Sequence, residues 1–469
     1  MSAASSFSET TTTTNNEIEL VQEHITVENH VFQSEIELLN ENKLYNKDVF
    51  NLVYIALVIE SAAIFLAWNL LNFLSPTYYF NFWFSSHYIP SDYATKFMDS
   101  LGMDACSPLF ALSILCILPF INNYLVRLCG SLFVNIINLM ILFVISWVRQ
   151  PSHFEMNWFY NITFTVMLIM MGCNGVFQSS LLGIASDLPR KYTSAVVIGT
   201  NVGGMISSFL YIFTTSANPK TPKPTAEVYY GFASIYLIIC LNILIFLWRS
   251  DFVRLHVKTA NNIRNEKKLT VGYFLAELGK VFKDAWSELL GIFILFFMMY
   301  TIFPTLSIGI QPWPSPGIAH LKKYFIPIGT FLNFYTFATA GAIAACFIEI
   351  KPSNRIMRLA LLGPCVLSLL LIPYFMYCNF IPNYPEVRKA KVLFKNEWFY
   401  FIANGFMGAF IGLFSGILLP LLPRCVEPAV SRLASQVGAA TMITGRVKLN
   451  ELFICINYHD AGAFNESNP

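Results

Sequence analysis

Charge is what this sequence has least of. Asp, Glu, Lys and Arg make up 12% of its 469 residues, about half the share of an ordinary soluble domain. So few ionised groups do not solvate a globular surface of this size. Neither sign dominates, and a formal net charge of +2 points to no nucleic acid or other polyanion as partner. The ten cysteines form no CxxC pair and share no metal-ligand spacing with the seven histidines. Cys116, Cys173, Cys240 and Cys365 stand inside apolar runs, where small packing residues belong. Catalytic signatures are missing too: there is no HExxH and no GxSxG. Gly279-Lys280 lacks the earlier glycine and the following Ser or Thr of a P-loop. No enzyme, metal, cofactor or ATP-driven pump is expected.

What is abundant is apolar length. The chain is 55% hydrophobic, with a mean hydropathy of +0.54, and its apolar runs fall near 50–74, 107–125, 128–148, 158–187, 193–217, 228–248, 286–310, 324–349, 357–378 and 397–422. A helix of about 20 residues crosses a hydrocarbon core of about 30 Å, so an all-α polytopic membrane protein with ten spans is expected. Residues 1–49, with eight Glu, one Asp and two Lys, read as an acidic tail rather than a signal peptide. The first span is then its own insertion signal. The basic segment 249–284, with eight Lys or Arg, separates a six-helix bundle at 50–248 from a second bundle at 285–445. By the positive-inside rule it places itself and the N-terminus in the cytosol.

Polar residues inside apolar runs mark what a membrane protein does. Cys173 to Ser208 is the densest such stretch, two apolar runs joined by a short basic turn. Asn174 and Gln178 sit four apart on one helix face, and Gly199, Gly203 and Ser207 repeat at period four, a stripe that lets another backbone approach closely. The first span carries Glu60, Trp68, Asn69 and Asn72. Glu60 reads either as a proton or cation site or as a carboxyl hydrogen-bonded to a neighbouring helix, and Asn69 as a pathway group or an interhelical bond. Phe303, Phe331, Phe334, Tyr335 and Phe337 crowd the seventh and eighth spans, where such rings either stack a planar solute or simply pack.

The chain resembles the equilibrative nucleoside transporter family. The match runs from Trp68-Asn69 through Gln178-Ser179-Ser180-Leu181-Leu182-Gly183, Leu188-Pro189, Tyr192-Thr193-Ser194-Ala195, Gly199 and Gly203-Gly204. It continues at Phe303-Pro304, Tyr324-Phe325-Ile326-Pro327, Cys378-Asn379, and Pro423 with Val426-Glu427-Pro428. The resemblance implies a major-facilitator-like bundle of six plus five helices around a central cavity, in the plasma membrane. It implies passive, alternating-access movement of nucleosides or nucleobases, with Trp68, Asn72, Gln178 and the phenylalanines lining the cavity and Gln178 reading the base.

Two departures qualify that expectation. Read without a gap from Tyr324, the family's Asp-x-x-Gly-Arg falls on Ala338-Thr339-Ala340-Gly341-Ala342. Both charged positions become alanine, losing hydrogen bonds to sugar hydroxyls worth about 1.5–3 kcal/mol each. The eleventh helix breaks after Gly445, leaving four spans or a truncated fifth in the second bundle and an atypical tail at 446–469. Three functions stay open: a carrier of nucleosides, nucleobases or a related planar solute; a pH-dependent carrier of organic cations using Glu60; and a non-transporting partner of an intact relative.

Overall fold

The computed structural model describes residues 47–86, 89–94, 96–97, 106–118, 123–148, 155–217, 222–265, 271–313, 324–380 and 392–445. The acidic tail up to residue 46 and the atypical tail at 446–469 lie outside the described residues. The chain divides at Leu52; of the first unit, a single helical turn at Val49–Asn51 is described.

The apolar runs become helices. In chain order they are α1 (Leu52–Leu74), α2 (Cys106–Ile117), α3 (Tyr124–Trp147), α4 (Met156–Ala185), α5 (Arg190–Ala217) and α6 (Pro222–Arg249). Then come α7 (Asp251–Asn265) and α8 (Val271–Asp284). The second set is α9 (Trp286–Gly309), α10 (Phe325–Cys346) and α11 (Arg355–Met376), α12 (Glu397–Leu421) and α13 over 431–445. The only ladder with named strands among the described residues is a two-residue hairpin, Ser85–Ser86 against Ile89–Pro90.

Eight of these helices, α3 to α6 and α9 to α12, are long and apolar enough to cross a membrane; the stretches Val49–Ile64 and Ser107–Ile117 are shorter. Their outer faces stay apolar without a protein partner, as Val144, Phe246, Leu370 and Ile402 show. Only hydrocarbon makes that arrangement favourable, and the protein is an integral membrane bundle. Burial ranks the helices: 78% of the most apolar window of α4 is inside the protein and 17% of that of α11. α4 is therefore a central helix and α11 a peripheral one.

Local chemistry starts and stops these elements. Asn123, Asn354 and Asn396 cap α3, α11 and α12, each accepting a hydrogen bond from a first-turn backbone N–H. In α9, Phe303 is extended at φ −116°, ψ 127°, directly before Pro304, which has no N–H to continue the ladder. The basic segment is two further helices, α7 and α8. Each carries a basic residue in its last turn, Arg264 and Lys283, complementing the helix dipole.

Two seams of small residues set the spacing. A Cβ on Gly199 or Gly203 of α5 would strike the α1 backbone at Val58 or Ala62. Added to Gly408 or Gly412 of α12, it would strike α10 at the Phe334 or Ala338 carbonyl. Such contact replaces the hydrophobic driving force that lipid does not supply between helices. The wide first turns of α10 are satisfied from α12, where Asn404 Nδ2 donates to the Gly329 and Thr330 carbonyls at 3.0 and 2.8 Å.

Candidate functional site

A central cavity of about 860 Å3, counted out to its open mouth, lies among α1, α4, α5, α9, α10, α12 and α13. Of the residues singled out from the sequence, Trp68, Asn69, Asn72, Gln178, Phe303 and Phe334 line it. Helical spacing explains the first set, since Trp68 and Asn72 are one turn apart on α1. The break at Phe303 turns its ring onto Phe334, with centroids 4.1 Å apart and planes at 15°.

The polar groups of the cavity are few and partly spent. Asn72 Nδ2 donates to the Trp68 carbonyl at 3.0 Å. Tyr335 Oη donates to Asn69 Oδ1 at 2.9 Å, which fixes that carboxamide with its nitrogen free. Gln178 Nε2 faces Met442 Sδ at 4.0 Å. Two buried polar atoms of the lining, the donor Asn69 Nδ2 and the acceptor Gln178 Oε1, have no hydrogen-bond partner among the described residues. A buried polar atom left unsatisfied costs about 1–3 kcal/mol, so the cavity favours a solute that supplies both partners. The surrounding rings of Trp68, Phe303 and Phe334 favour one that is flat.

Other residues lie elsewhere. Asn174 is turned toward α3, its Oδ1 accepting from Asn135 Nδ2 at 2.8 Å, one turn from Gln178 but outside the lining. Phe337 is 49% exposed and also outside it, because α10 presents Phe334 and Tyr335 to the cavity and the next turn elsewhere. Glu60 is fully buried within electrostatic reach of Cys129, Tyr236 and Cys240. Its two oxygens have no hydrogen-bond partner among the described residues, and it does not line the cavity.

Gly199 and Gly203 serve the α1 seam. Ser207 Oγ donates to the Gly203 carbonyl, and its own carbonyl accepts from Tyr229 Oη at 2.5 Å. Ala338 and Ala342 are 0% and 1% exposed and are pressed against Gly412 and Gly416 of α12. Neither reaches the cavity. The gap-free reading thus set the family's two charges on a seam with no room for a longer side chain.

Residues the sequence reading missed are Tyr335 as a hydrogen-bond donor, Thr200, Asn201 and Ser415, and Met442 of the short α13. Thr200 and Asn201 could have been found, since they lie between the glycines of the α5 stripe and so on a different face of that helix. Met442 could not, because nothing local tells where a short final helix docks. No group of three His, Cys, Asp or Glu placed to hold a metal ion occurs among the described residues.

At the end of the bundle that carries α7 and α8, ion pairs join the two helix sets. The side chain of Asp187, in the α4–α5 turn, is fully buried between Arg264 of α7 and Arg432 of α13. Arg190 donates to the Ala345 and Ile348 carbonyls at the C-terminal end of α10. Within the second set, Arg358 of α11 holds the buried Glu288 of α9 through both carboxylate oxygens, at 2.6 and 2.8 Å. Such pairs orient helices at the edge of a low-dielectric core.

Residues 163–273 and 264–448 match the family described as nucleoside transporter. Equilibrative nucleoside transporter 3 of Rattus norvegicus is 23% identical over 337 residues, 68% of this chain and 69% of that protein. Equilibrative nucleoside transporter 1 of Homo sapiens is 24% identical over 372 residues, 71% of this chain and 77% of that one. Among solved structures, the major facilitator superfamily transporter FucP in its outward conformation superposes with a TM-score of 0.48 at 12% identity, covering 89% of this chain and 93% of that one. A likeness of that size decides nothing about the fold. The family match covers well over half of the chain, so its work is transport rather than catalysis, and the chain belongs to the equilibrative nucleoside transporter family.

Proposed function

We propose that the protein carries a small planar solute of the nucleobase or nucleoside type passively across the plasma membrane, by alternating access between its two helix sets. The observation that carries this reading is the pair of unpartnered amide atoms, Asn69 Nδ2 and Gln178 Oε1, set among aromatic rings in one cavity. A purine or pyrimidine edge offers the complementary acceptor and donor at once, and its faces suit the rings. Ala338 and Ala342 supply no hydrogen-bonding group to a ribose, so bare bases are favoured over nucleosides.

The architecture behind this reading is a major-facilitator-like arrangement: a six-helix set at 50–248, a basic cytosolic segment at 249–284 and a second set at 285–445 whose fifth helix is short. The N-terminus and the α7–α8 segment face the cytosol. Uptake of labelled uracil, adenine, uridine and adenosine into liposomes containing the purified protein tests the proposal. Saturable, gradient-driven flux with bases preferred is the expected result. Absence of saturable flux for all four, with folded protein recovered, overturns it in favour of a non-transporting partner. The organic-cation reading draws no support from Glu60, which is buried away from the cavity.

A further inference from the structure

A second cavity, of about 670 Å3 counted to its mouth, opens at the α7–α8 end where α3 begins and α4 and α6 finish. Its polar and aromatic lining is Asn123, Tyr124, Trp248, Asn261 and Arg432. Among the described residues no carboxylate lines it, and its one charged lining group is the Arg432 guanidinium.

The charge behind that wall does not balance. Arg432 uses Nε and Nη2 on Asp187, and Arg264 reaches the same carboxylate through Nη2 at 2.5 Å. Arg264 Nε and Nη1 are buried without a partner among the described residues. The Tyr124 ring has Arg432 at 4.4 Å and the buried Arg127 at 5.2 Å from its centroid. Arg127 in turn donates to a neutral acceptor, the Cys116 carbonyl, at 3.0 Å, and is in no ion pair among the described residues. Arg264 and Arg432 share the single carboxylate of Asp187, and Arg127 stands on the other contact of the Tyr124 ring, so among the described residues this cluster carries three guanidinium groups and one carboxylate. Withdrawing unpaired charge from water is costly, and the N-terminus of α3, a helix of 24 residues starting at Tyr124, adds to the positive potential.

We infer that this cavity binds a phosphomonoester carrying a planar ring, the chemistry of a nucleoside monophosphate. The phosphate sits on Arg432 and the start of α3, and the ring lies on Trp248. Occupancy tightens the Asp187 cluster that joins the α4–α5 turn to α7 and α13, so the bound anion restrains transport. Only the cytosolic location of the site rests on the orientation proposed above.

The test uses the full chain in nanodiscs, titrated with adenosine monophosphate, inorganic phosphate and adenosine while tryptophan fluorescence and thermal unfolding are followed. Adenosine monophosphate is expected to bind saturably and raise the unfolding temperature. Asn261→Asp, which sets a like charge on the wall, is expected to weaken that binding by at least about tenfold while leaving the response to adenosine unchanged. Trp248→Leu is expected to bring adenosine monophosphate down to the affinity of inorganic phosphate. Nanodiscs containing a phosphoinositide distinguish a lipid source of the same chemistry: competition with adenosine monophosphate there also supports a phosphate site. No response to either phosphate probe at about 1 mM, or adenosine monophosphate binding that is indifferent to Asn261→Asp, overturns the inference. Flux measured on the same preparation separates the two proposals, since base uptake without phosphate binding defeats this one alone, and phosphate binding without uptake defeats the other.

Discussion

The two walls of the central cavity are built on opposite principles. On one side, α1 and α4 bring carboxamides, Asn69, Asn72 and Gln178, into an apolar surround. On the other, α9 and α10 bring rings, and one turn further along α10 its small residues lie flat on α12. The difference is one of space as much as polarity. α4 and α1 meet the cavity with side chains long enough to reach in. α10 at Ala338 and Ala342 has no such room, because Gly412 and Gly416 have drawn α12 against its backbone. The short side chains of Ala338 and Ala342 and the close α10–α12 seam are therefore one feature, and introducing a charge there means undoing the seam.

The sharpest way to break the comparison is Ala338→Asp. If the α10 wall is a packing seam, the carboxylate has neither space nor a counter-ion, and the change destabilises by about 3 kcal/mol or more. The expected outcome is loss of folded protein in detergent thermal unfolding. A stable, more active transporter would instead place the position in the solute site.

Gln178→Leu probes the opposite wall and is expected to separate function from stability. Base uptake, as kcat/KM, falls by about tenfold, equivalent to about 1.4 kcal/mol. The unfolding temperature holds or rises, because a buried acceptor without a partner is removed. Tyr335→Phe, which removes a hydrogen bond linking the walls, is expected to cost about 1 kcal/mol of transport by letting the Asn69 carboxamide rotate, seen as a higher KM with folding intact. The smallest effect belongs to Phe337→Ala. That ring is half exposed and outside the lining, and uptake within about twofold of wild type, or about 0.5 kcal/mol, is the expected result.

Much of this was legible beforehand, and the reasons are local. Apolar runs declare membrane helices because backbone groups in hydrocarbon have to satisfy one another within the segment. Amides inside such runs declare themselves because they are costly there, which is how Asn69 and Gln178 stood out. The same rule could not separate Gln178 from Asn174. Both occupy one helix face, yet Asn174 pairs with Asn135 of α3 and Gln178 does not, and the choice belongs to the neighbour. Phe334 and Phe337 pose the same problem on α10, one turned in and one turned out. The basic segment read as a loop because its charge hid two amphipathic helices, α7 and α8.

The sequence by itself determined that this chain is a multi-pass helical membrane protein of the equilibrative nucleoside transporter family. Hydrophobic length, charge scarcity and motif order are written along the chain. Only the tertiary structure decided which polar atoms remain unspent, that Ala338 and Ala342 are a seam, that Glu60 lies off the cavity, and that Arg264 and Arg432 share Asp187. Those facts depend on which helix faces which. Residues as far apart as Asp187 and Arg432, or Asn69 and Tyr335, have no interaction until packing brings them within hydrogen-bonding distance.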